Sequence, residues 1–102
     1  MPNELPPVQQ DPQSECFFIE LEGHQNARLD YAQQAEGETT VLDLKATFVP
    51  RGKRNQGLAT KIVLTAFRKA EEEGYQIRPS CPFTDALLQC KPEYQHLRDE
   101  KD

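Results

Sequence analysis

Basic side chains are concentrated in one short stretch of an otherwise acidic chain. Residues 49–61 hold four of the twelve Lys and Arg residues, although the protein of 102 residues has a formal net charge of -5. The stretch leads from a run typical of a β-strand into a run typical of an amphipathic helix. Cations are disfavoured at a helix N-terminus because the helix dipole is positive there. An anion held against the backbone N–H groups would relieve this repulsion, so the pattern indicates an anion site.

Individual residues of this stretch suit a phosphate ligand. Gly57 has no Cβ, which lets an anion approach its amide, and Ala59 adds little bulk in the first helical turn. The guanidinium of Arg54 can make forked hydrogen bonds to phosphate oxygens, whereas Lys53 and Lys61 act as point charges. The spacing alone leaves a second interpretation open, in which the stretch is a solvated basic loop without a ligand.

Cys81 and Tyr94 are candidate catalytic side chains outside this stretch. Cys81 can be a nucleophile if nearby positive charge lowers its pKa, it can position or transfer a proton, or it can fill space in the core. Tyr94 can donate a proton to a leaving group, although such a tyrosine more often packs in the core. Besides bound water, the candidates for a general base are Glu20, Glu22, Asp43 and Glu93.

Apolar periodicity and turn signals predict the elements that position these residues. The predicted elements are strands at 16–22, 27–33 and 39–49, a helix at 57–73, a strand at 75–79 and a helix at 85–97. Short links between the first three strands predict an antiparallel meander, because a parallel crossover needs about a dozen residues or more. Together they predict an α+β fold with a single sheet, in which helix, strand and helix follow the meander.

Glycine, proline and capping residues predict the ends of the two helices. Gly74 is expected to end the first helix, which has an apolar stripe from Leu58 to Ala70. In the second helix Thr84 or Asp85 can act as the N-cap, and Pro92 can break the helix. The helical pattern of this second segment is weaker than that of the first.

Composition limits the domain organisation and the functional class. Residues 1–15 are rich in proline and glutamine and predict a flexible tail, residues 16–97 a single domain, and residues 98–102 a charged fray. Three cysteines without CxxC pairing and two scattered histidines argue against a disulfide framework and a metal site. A pI near 5.0 argues against nucleic-acid binding. We therefore expect a cytoplasmic monomer without a membrane span or bound metal.

Three segments together resemble one enzyme family. The R-x-x-G-x-A motif from Arg54 to Ala59 resembles the pyrophosphate-binding motif of the GNAT superfamily of N-acetyltransferases. The Pro-Ser-Cys segment ending at Cys81 and the Pro-Glu-Tyr segment ending at Tyr94 are similar to those of a small single-domain branch with an active-site cysteine. The resemblance covers residues 27–97. Asn55 stands where that branch usually has glycine, and Lys91 where it often has histidine.

The resemblance implies a splayed cofactor cleft, acetyl-CoA as the cofactor and transfer of acetyl to a primary amine. Cys81 and Tyr94 are the implied catalytic residues. The implied cofactor-binding residues are Phe48, Val49, Arg54, Asn55, Gln56, Gly57, Leu58, Ala59, Thr60 and Lys61. The acidic chain suits a cationic acceptor, such as a small amine, a lysine side chain or a protein N-terminus. The alternatives are a non-catalytic module that binds CoA or acyl-CoA, and an interaction domain whose basic loop docks an acidic partner.

Overall fold

The computed structural model describes residues 6–54 and 57–99 of the chain. Asn55 and Gln56, which are predicted to bind the cofactor, lie outside these residues. The described elements are strands β1 (Gln9–Asp11), β2 (Cys16–Ile19), β3 (Ala27–Glu36) and β4 (Thr39–Phe48), helix α1 (Leu58–Glu73), strand β5 (Gln76–Pro79) and helix α2 (Pro82–Gln89). Short 3-10 helices follow β4 at Arg51–Lys53 and α2 at Pro92–Leu97. Within these residues, no helix combines the length and the apolar character that a membrane crossing requires.

The strands form one mixed sheet in which their order follows the chain from β1 to β5. Strands β1 to β4 pair antiparallel, as the short links predict, and β5 pairs parallel to β4. Because parallel neighbours need a crossover, the chain must cross over the sheet between β4 and β5, and α1 makes this connection. The predicted α+β fold with a single sheet is confirmed.

Helix α1 covers one face of the sheet with the apolar stripe that the sequence predicts. Its buried residues are Leu58, Ile62, Val63, Ala66, Phe67 and Ala70. They share one core with alternate residues of β2 and β3, including Phe17, Ile19 and Leu29. Gly74 ends the helix in the left-handed conformation, with φ 75°, which confirms the predicted stop.

Residues 6–15 do not form the flexible tail that the sequence predicts. Strand β1 lies here and pairs with β2, and the side-chain amide of Gln10 donates a hydrogen bond to the Tyr31 hydroxyl over 2.8 Å. The Nζ of Lys61 donates to the carbonyl oxygen of Pro6 over 2.9 Å. The prediction is wrong for this part because main-chain pairing holds the segment, and such pairing leaves no apolar pattern in the sequence.

The last predicted helix is divided and begins earlier than predicted. Helix α2 starts at Pro82 with Cys81 as its N-cap, and Pro92 opens a separate 3-10 helix. Proline suits the first helical position because its missing N–H would have no partner there, and its φ is already helical. Neither predicted cap is correct. Instead, the Thr84 hydroxyl donates to the Cys81 carbonyl oxygen over 2.8 Å.

The start of the predicted C-terminal fray is held to the sheet. The N–H of Asp99 donates to the carbonyl oxygen of Ile77 over 2.7 Å. Its carboxylate accepts a hydrogen bond from the Nε of Arg78 over 2.9 Å, and the same guanidinium pairs with Glu36 over 3.0 Å. Half-buried charge pairs of this kind fix Asp99, so the fray prediction is wrong at this residue.

Candidate functional site

Strands β4 and β5 part where β4 has an irregularity. Two adjacent residues of β3 pair with Ala46 and Leu44, so Lys45 is an extra residue and forms a β-bulge. The parallel pairing with β5 ends at Leu44 opposite Pro79. A bulge bends a strand and increases its twist, which carries the end of β4 away from β5. The sheet therefore splays at this edge.

A cleft of about 500 Å³ lies beside the free end of β4, and we call it the β4 cleft. The described residues that line it are Thr47, Phe48, Val49, Lys53, Arg54, Gly57, Leu58, Ala59, Thr60 and Phe83. They come from the end of β4, the following loop, the first turn of α1 and the first turn of α2. The structure thus brings together every described residue that was predicted to bind the cofactor except Lys61.

The loop end of the β4 cleft has the features of an anion site. Gly57 is the N-cap of α1 with φ 79°, and among the described residues no side chain caps this helix start. The first turn holds no acidic residue. The Nε of Arg54 donates to the carbonyl oxygen of Val49 over 3.1 Å, which fixes the guanidinium beside the end of β4. Uncapped amides, the helix dipole and two cations, Lys53 and Arg54, together favour a bound anion.

Lys61 lies apart from the other predicted cofactor ligands. It is the fourth residue of α1, and its backbone N–H closes the first helical turn on the carbonyl oxygen of Gly57 over 3.0 Å. Its ammonium group reaches the N-terminal segment at Pro6 instead. Any interaction with an anion would therefore come through the charge of Lys61 rather than through the cleft wall.

Cys81 lies next to the opposite end of the β4 cleft. Its backbone N–H donates to the carbonyl oxygen of Leu44 over 3.0 Å, just beyond the last paired residues of β4 and β5. Its thiol is 3.8 Å from the hydroxyl of Thr47, which lines the cleft. The residue is only 7% exposed, and Phe83, two positions further along, covers the same region. The thiol therefore faces the cleft through Thr47 and is otherwise shielded from water.

The start of α2 favours the thiolate form of Cys81. Burial acts to raise the pKa of the thiol, but nearby N–H groups of Thr84 and Phe83 and the contacts with Thr47 outweigh burial and lower it. The neutral thiol makes no capping hydrogen bond of standard geometry, so these amides act mainly on the charged form. A cysteine at a helix N-terminus with a lowered pKa is the arrangement expected of a reactive thiol.

Tyr94, the second predicted catalytic residue, lies in the C-terminal 3-10 helix. Its ring packs against Phe67 of α1, with 5.5 Å between the ring centroids. It is half-buried against the core, and the described lining of the β4 cleft does not include it. Its catalytic role stays a prediction.

Of the four candidate general bases, Asp43 contacts the segment that leads into Cys81. Its carboxylate accepts a hydrogen bond from the hydroxyl of Ser80 over 2.5 Å, and Ser80 precedes Cys81. Asp43 is also paired with Arg78 in the β4–β5 register. The other three candidates, Glu20, Glu22 and Glu93, are exposed.

Sequence reasoning missed two residues of the site, Thr47 and Phe83. The bulge at Lys45 reverses the alternation of β4, so Thr47 pairs with the buried Leu29 and faces the thiol. Without a bulge the alternation that starts at Leu42 would have turned Thr47 to the other face. Phe83 is a large apolar side chain at the mouth of the cleft and is 37% exposed. The sequence signal that could have identified it is its place as the second residue of a helix that begins with proline.

Comparison with known proteins identifies the family of the chain and similar folds. The family model described as GCN5-related N-acetyl-transferase matches residues 16–97. The fold is similar to the NMR solution structure of a GCN5-like protein from Staphylococcus aureus, with a TM-score of 0.69 and 21% identity over 94% of this chain and 90% of that one. It is also similar to the crystal structure of the ribosomal-protein-alanine N-acetyltransferase from Brucella melitensis biovar Abortus 2308, with a TM-score of 0.51 and 16% identity over 91% of this chain and 68% of that one.

Proposed function

Since the chain belongs to the GCN5-related N-acetyltransferase family, which marks it as an acetyltransferase, we propose that it transfers acetyl from acetyl-CoA to a primary amine. The observation that carries this proposal is the β4 cleft, which has cations and an uncapped helix start at one end and lies next to a shielded thiol at the other. The two ends of acetyl-CoA correspond to the two ends of this cleft, because an extended pantetheine arm joins an anionic pyrophosphate to a reactive thioester.

The loop end of the cleft is the proposed pyrophosphate site. The backbone N–H groups that follow Gly57 and the guanidinium of Arg54 would hold the phosphates, with Lys53 adding charge and Thr60 a hydroxyl. The backbone of Phe48 and Val49, which lies beyond the last β4–β5 pair, would lie along the pantetheine arm. Asn55 and Gln56 are proposed to complete the loop, and Lys61 to contribute at longer range.

The thiol end is the proposed reaction centre. Bound there, acetyl-CoA supplies a thioester whose acetyl group passes to the amine nitrogen as the carbon–sulfur bond breaks, while the nitrogen loses a proton and the sulfur gains one. Cys81 is the proposed catalytic residue, either as the group that takes the acetyl first or as the group that holds a proton at its sulfur. Asp43 is a proposed acceptor of the amine proton, because its carboxylate lies beside Ser80 at the edge of the splay.

Tyr94 is the second proposed catalytic residue, as a proton donor to the departing sulfur. Tyr94→Phe keeps the ring contact with Phe67 and removes only the hydroxyl. We expect kcat to fall about two- to tenfold with an unchanged acetyl-CoA Kd, since bound water can replace the donor in part. An unchanged kcat would assign Tyr94 to packing alone.

Thermal melting with acetyl-CoA tests the binding step. A ligand at a hundred times its Kd should stabilise the fold by about 2.7 kcal/mol, which raises Tm by about 10–20 °C. No shift with millimolar acetyl-CoA would overturn the proposal and favour an interaction domain. A shift without acetyl transfer to any amine would favour the non-catalytic module that binds CoA.

Mass spectrometry of the intact protein separates the two roles of Cys81. Incubation with acetyl-CoA in the absence of an amine should add one acetyl group to wild type and none to Cys81→Ser if the thiol takes the acetyl group. Cys90→Ser is the matched control, because Cys90 is exposed and lies after α2, outside the described cleft lining. Transfer by wild type with no acetylated protein at any time would leave Cys81 as a proton-holding group.

A further inference from the structure

A second cleft, of about 630 Å³, lies on the face of the sheet that α1 does not cover, and we call it the open-face cleft. Phe17 and Leu29 point into the core beneath α1, so their strand neighbours Phe18 and Arg28 point to the other face. Residues that line the cleft include Asp11, Cys16, Phe18, His24, Arg28 and Phe48. The cleft thus combines aromatic walls with charged side chains of both signs.

The open-face cleft adjoins the β4 cleft at two places. Phe48 lines both clefts and is 38% exposed, because the bulge in β4 turns its ring to the open face. The loop that holds His24 also approaches the loop after β4: a Cβ built on Gly52 would lie 3.3 Å from the His24 ring. Gly52 precedes Lys53, which lines the β4 cleft. A ligand in the open-face cleft can therefore reach the free edge of β4 without crossing the core.

The strand register arranges the side chains of the open-face cleft in two rows. Phe18, Arg28 and Phe48 form an apolar row with a guanidinium at its centre. In the next row Asp11 and Cys16 line the cleft, and Asp30 and Ala46 continue the row beyond its described lining, with Asp30 paired to the lining residue Arg28. Neighbouring strands are about 4.8 Å apart. The backbone of Asp30 on β3 therefore lies roughly 5 Å from β4, and that of Asp11 on β1 roughly 14 Å from it.

The acidic row acts on the Cys16 thiol that lies within it. Burial first, and then the charges of Asp11 and Asp30, raise the pKa of the Cys16 thiol, while Arg28 acts in the opposite direction. Arg28 pairs with Asp30 over 3.5 Å, but both side chains are largely exposed, at 57% and 41%. An exposed pair of this kind is weak, so a cationic ligand can compete with Arg28 for the carboxylate.

We propose that the open-face cleft binds the acceptor, and that the acceptor is an elongated aliphatic amine with a second positive charge. This inference rests on the proposed acetyl transfer. The reacting amine would pass Phe48 at the edge of β4, the methylene chain would lie on the Phe48 ring, and the distal ammonium would reach Asp30 or, in a longer chain that continues over Phe18, Asp11. Aromatic faces accommodate both the apolar chain and its cationic ends. The short distance to Asp30 suits a diamine of about five carbons.

Two amines of equal chain length, cadaverine and pentylamine, test the inference because they differ in the distal ammonium. We expect a higher kcat/KM for cadaverine in wild type. Asp30→Asn should lower that preference about two- to fivefold, the range of a single exposed ion pair. Arg28→Gln removes the competing cation and should raise the preference by a similar factor, a gain that a damaged fold cannot produce. Glu38→Gln is the control, because it removes the same charge from the exposed β3–β4 turn.

A binding measurement keeps the inference separate from the proposed chemistry. Cadaverine titrated into the CoA complex should shift the backbone NMR signals of residues 16–18 and 28–30, and Asp30→Asn should weaken these shifts. Equal kcat/KM for the two amines, or the absence of these shifts, would overturn the inference while acetyl transfer to pentylamine still stood. A kcat/KM for a lysine peptide well above that for cadaverine would also overturn it, in favour of a protein acceptor. The proposed function fails independently if acetyl-CoA does not bind.

Discussion

At its loop end the β4 cleft presents cations and uncapped backbone amides, whereas its opposite end lies next to the thiol of Cys81, a residue that is only 7% exposed. The loop end depends on local conformation, because one glycine with φ 79° starts the helix and sets the direction of its amides. The thiol end depends on tertiary contacts, because Leu44, Thr47 and the start of α2 all meet at Cys81. The two ends should therefore respond differently to mutation: the first through binding, the second through turnover.

The largest expected effect is at the loop end and comes from Gly57→Glu. The new carboxylate would lie at the helix start where the pyrophosphate is proposed to bind, so we expect the acetyl-CoA Kd to rise at least about a hundredfold, or about 2.7 kcal/mol. A Cβ at this position meets no atom within 4 Å, so the structural cost is limited to the left-handed backbone, about 1–2 kcal/mol. Isothermal titration calorimetry measures the change in Kd.

Gly74→Glu is the matched control for this change. Gly74 has φ 75° and an equally open surrounding, but it ends α1 instead of starting it. Both variants should lose similar stability, and Gly74→Glu should keep the wild-type Kd. A comparable loss of affinity in both variants would mean that the Gly57 effect is strain and that the loop does not contact the ligand.

The next effect, at the thiol end, should leave binding unchanged. Cys81→Ala is expected to lower kcat by about tenfold to a hundredfold with little change in the acetyl-CoA Kd, since the thiol lies beyond the residues proposed to hold the phosphates. Steady-state kinetics and calorimetry on the same preparation separate the two quantities. Cys90→Ala, in an exposed position, should match wild type in both. A full kcat in Cys81→Ala would place the reaction centre elsewhere in the cleft.

The loop end was predictable from sequence because its signals are local. The apolar stripe of α1, the stop at Gly74 and the glycine before the helix all lie within one continuous segment. The motif from Arg54 to Ala59 could be recognised for the same reason. Cations at a helix start, where the dipole disfavours them, are apparent from residue order alone, and the fold places Arg54 and Gly57 on the wall of one cleft.

The thiol end and the open face were less predictable because they depend on pairing. The bulge at Lys45 has no sequence signature, yet it decides that Thr47 faces the thiol and that Phe48 faces the open cleft. Strand β1 is polar and is held by its main-chain pairing with β2, so apolar periodicity could not reveal it. The sequence could suggest an active-site position for Cys81, but its contacts with Leu44 and Thr47 come from residues about 35 positions away.

A smaller effect is expected from single charges at the loop end. Arg54→Gln removes a guanidinium that lines the β4 cleft, and we expect the acetyl-CoA Kd to rise about two- to fivefold, as for one exposed ion pair. Arg51→Gln is the control, because Arg51 lies exposed in the same loop but outside the described lining. The difference between the two variants should shrink at high salt because salt screens exposed charges. Equal increases of Kd in the two variants would mean that the loop acts through its overall positive charge and that Arg54 makes no specific contact with the ligand.

The smallest expected effect is on stability and compares Cys81 with Cys16. Local N–H groups and Thr47 outweigh burial and lower the pKa of Cys81, whereas burial and two carboxylates raise that of Cys16. Cys81 therefore contributes stability above the unfolded pKa of about 9.0, and this contribution is lost as pH falls through its folded pKa. Cys16 contributes below the unfolded value, and its contribution is lost as pH rises through its folded pKa.

Urea unfolding from about pH 7 to about pH 10 measures both contributions with serine variants. The free energy of unfolding of wild type minus that of Cys81→Ser should increase with pH, because the unfolded chain binds more protons at this site. The corresponding difference for Cys16→Ser should decrease with pH, because the folded protein retains the proton longer. Two differences that change in the same direction would contradict the opposite electrostatic environments of the two thiols. They would also remove the electrostatic reason to assign the reactive role to Cys81 rather than to Cys16 in the open-face cleft.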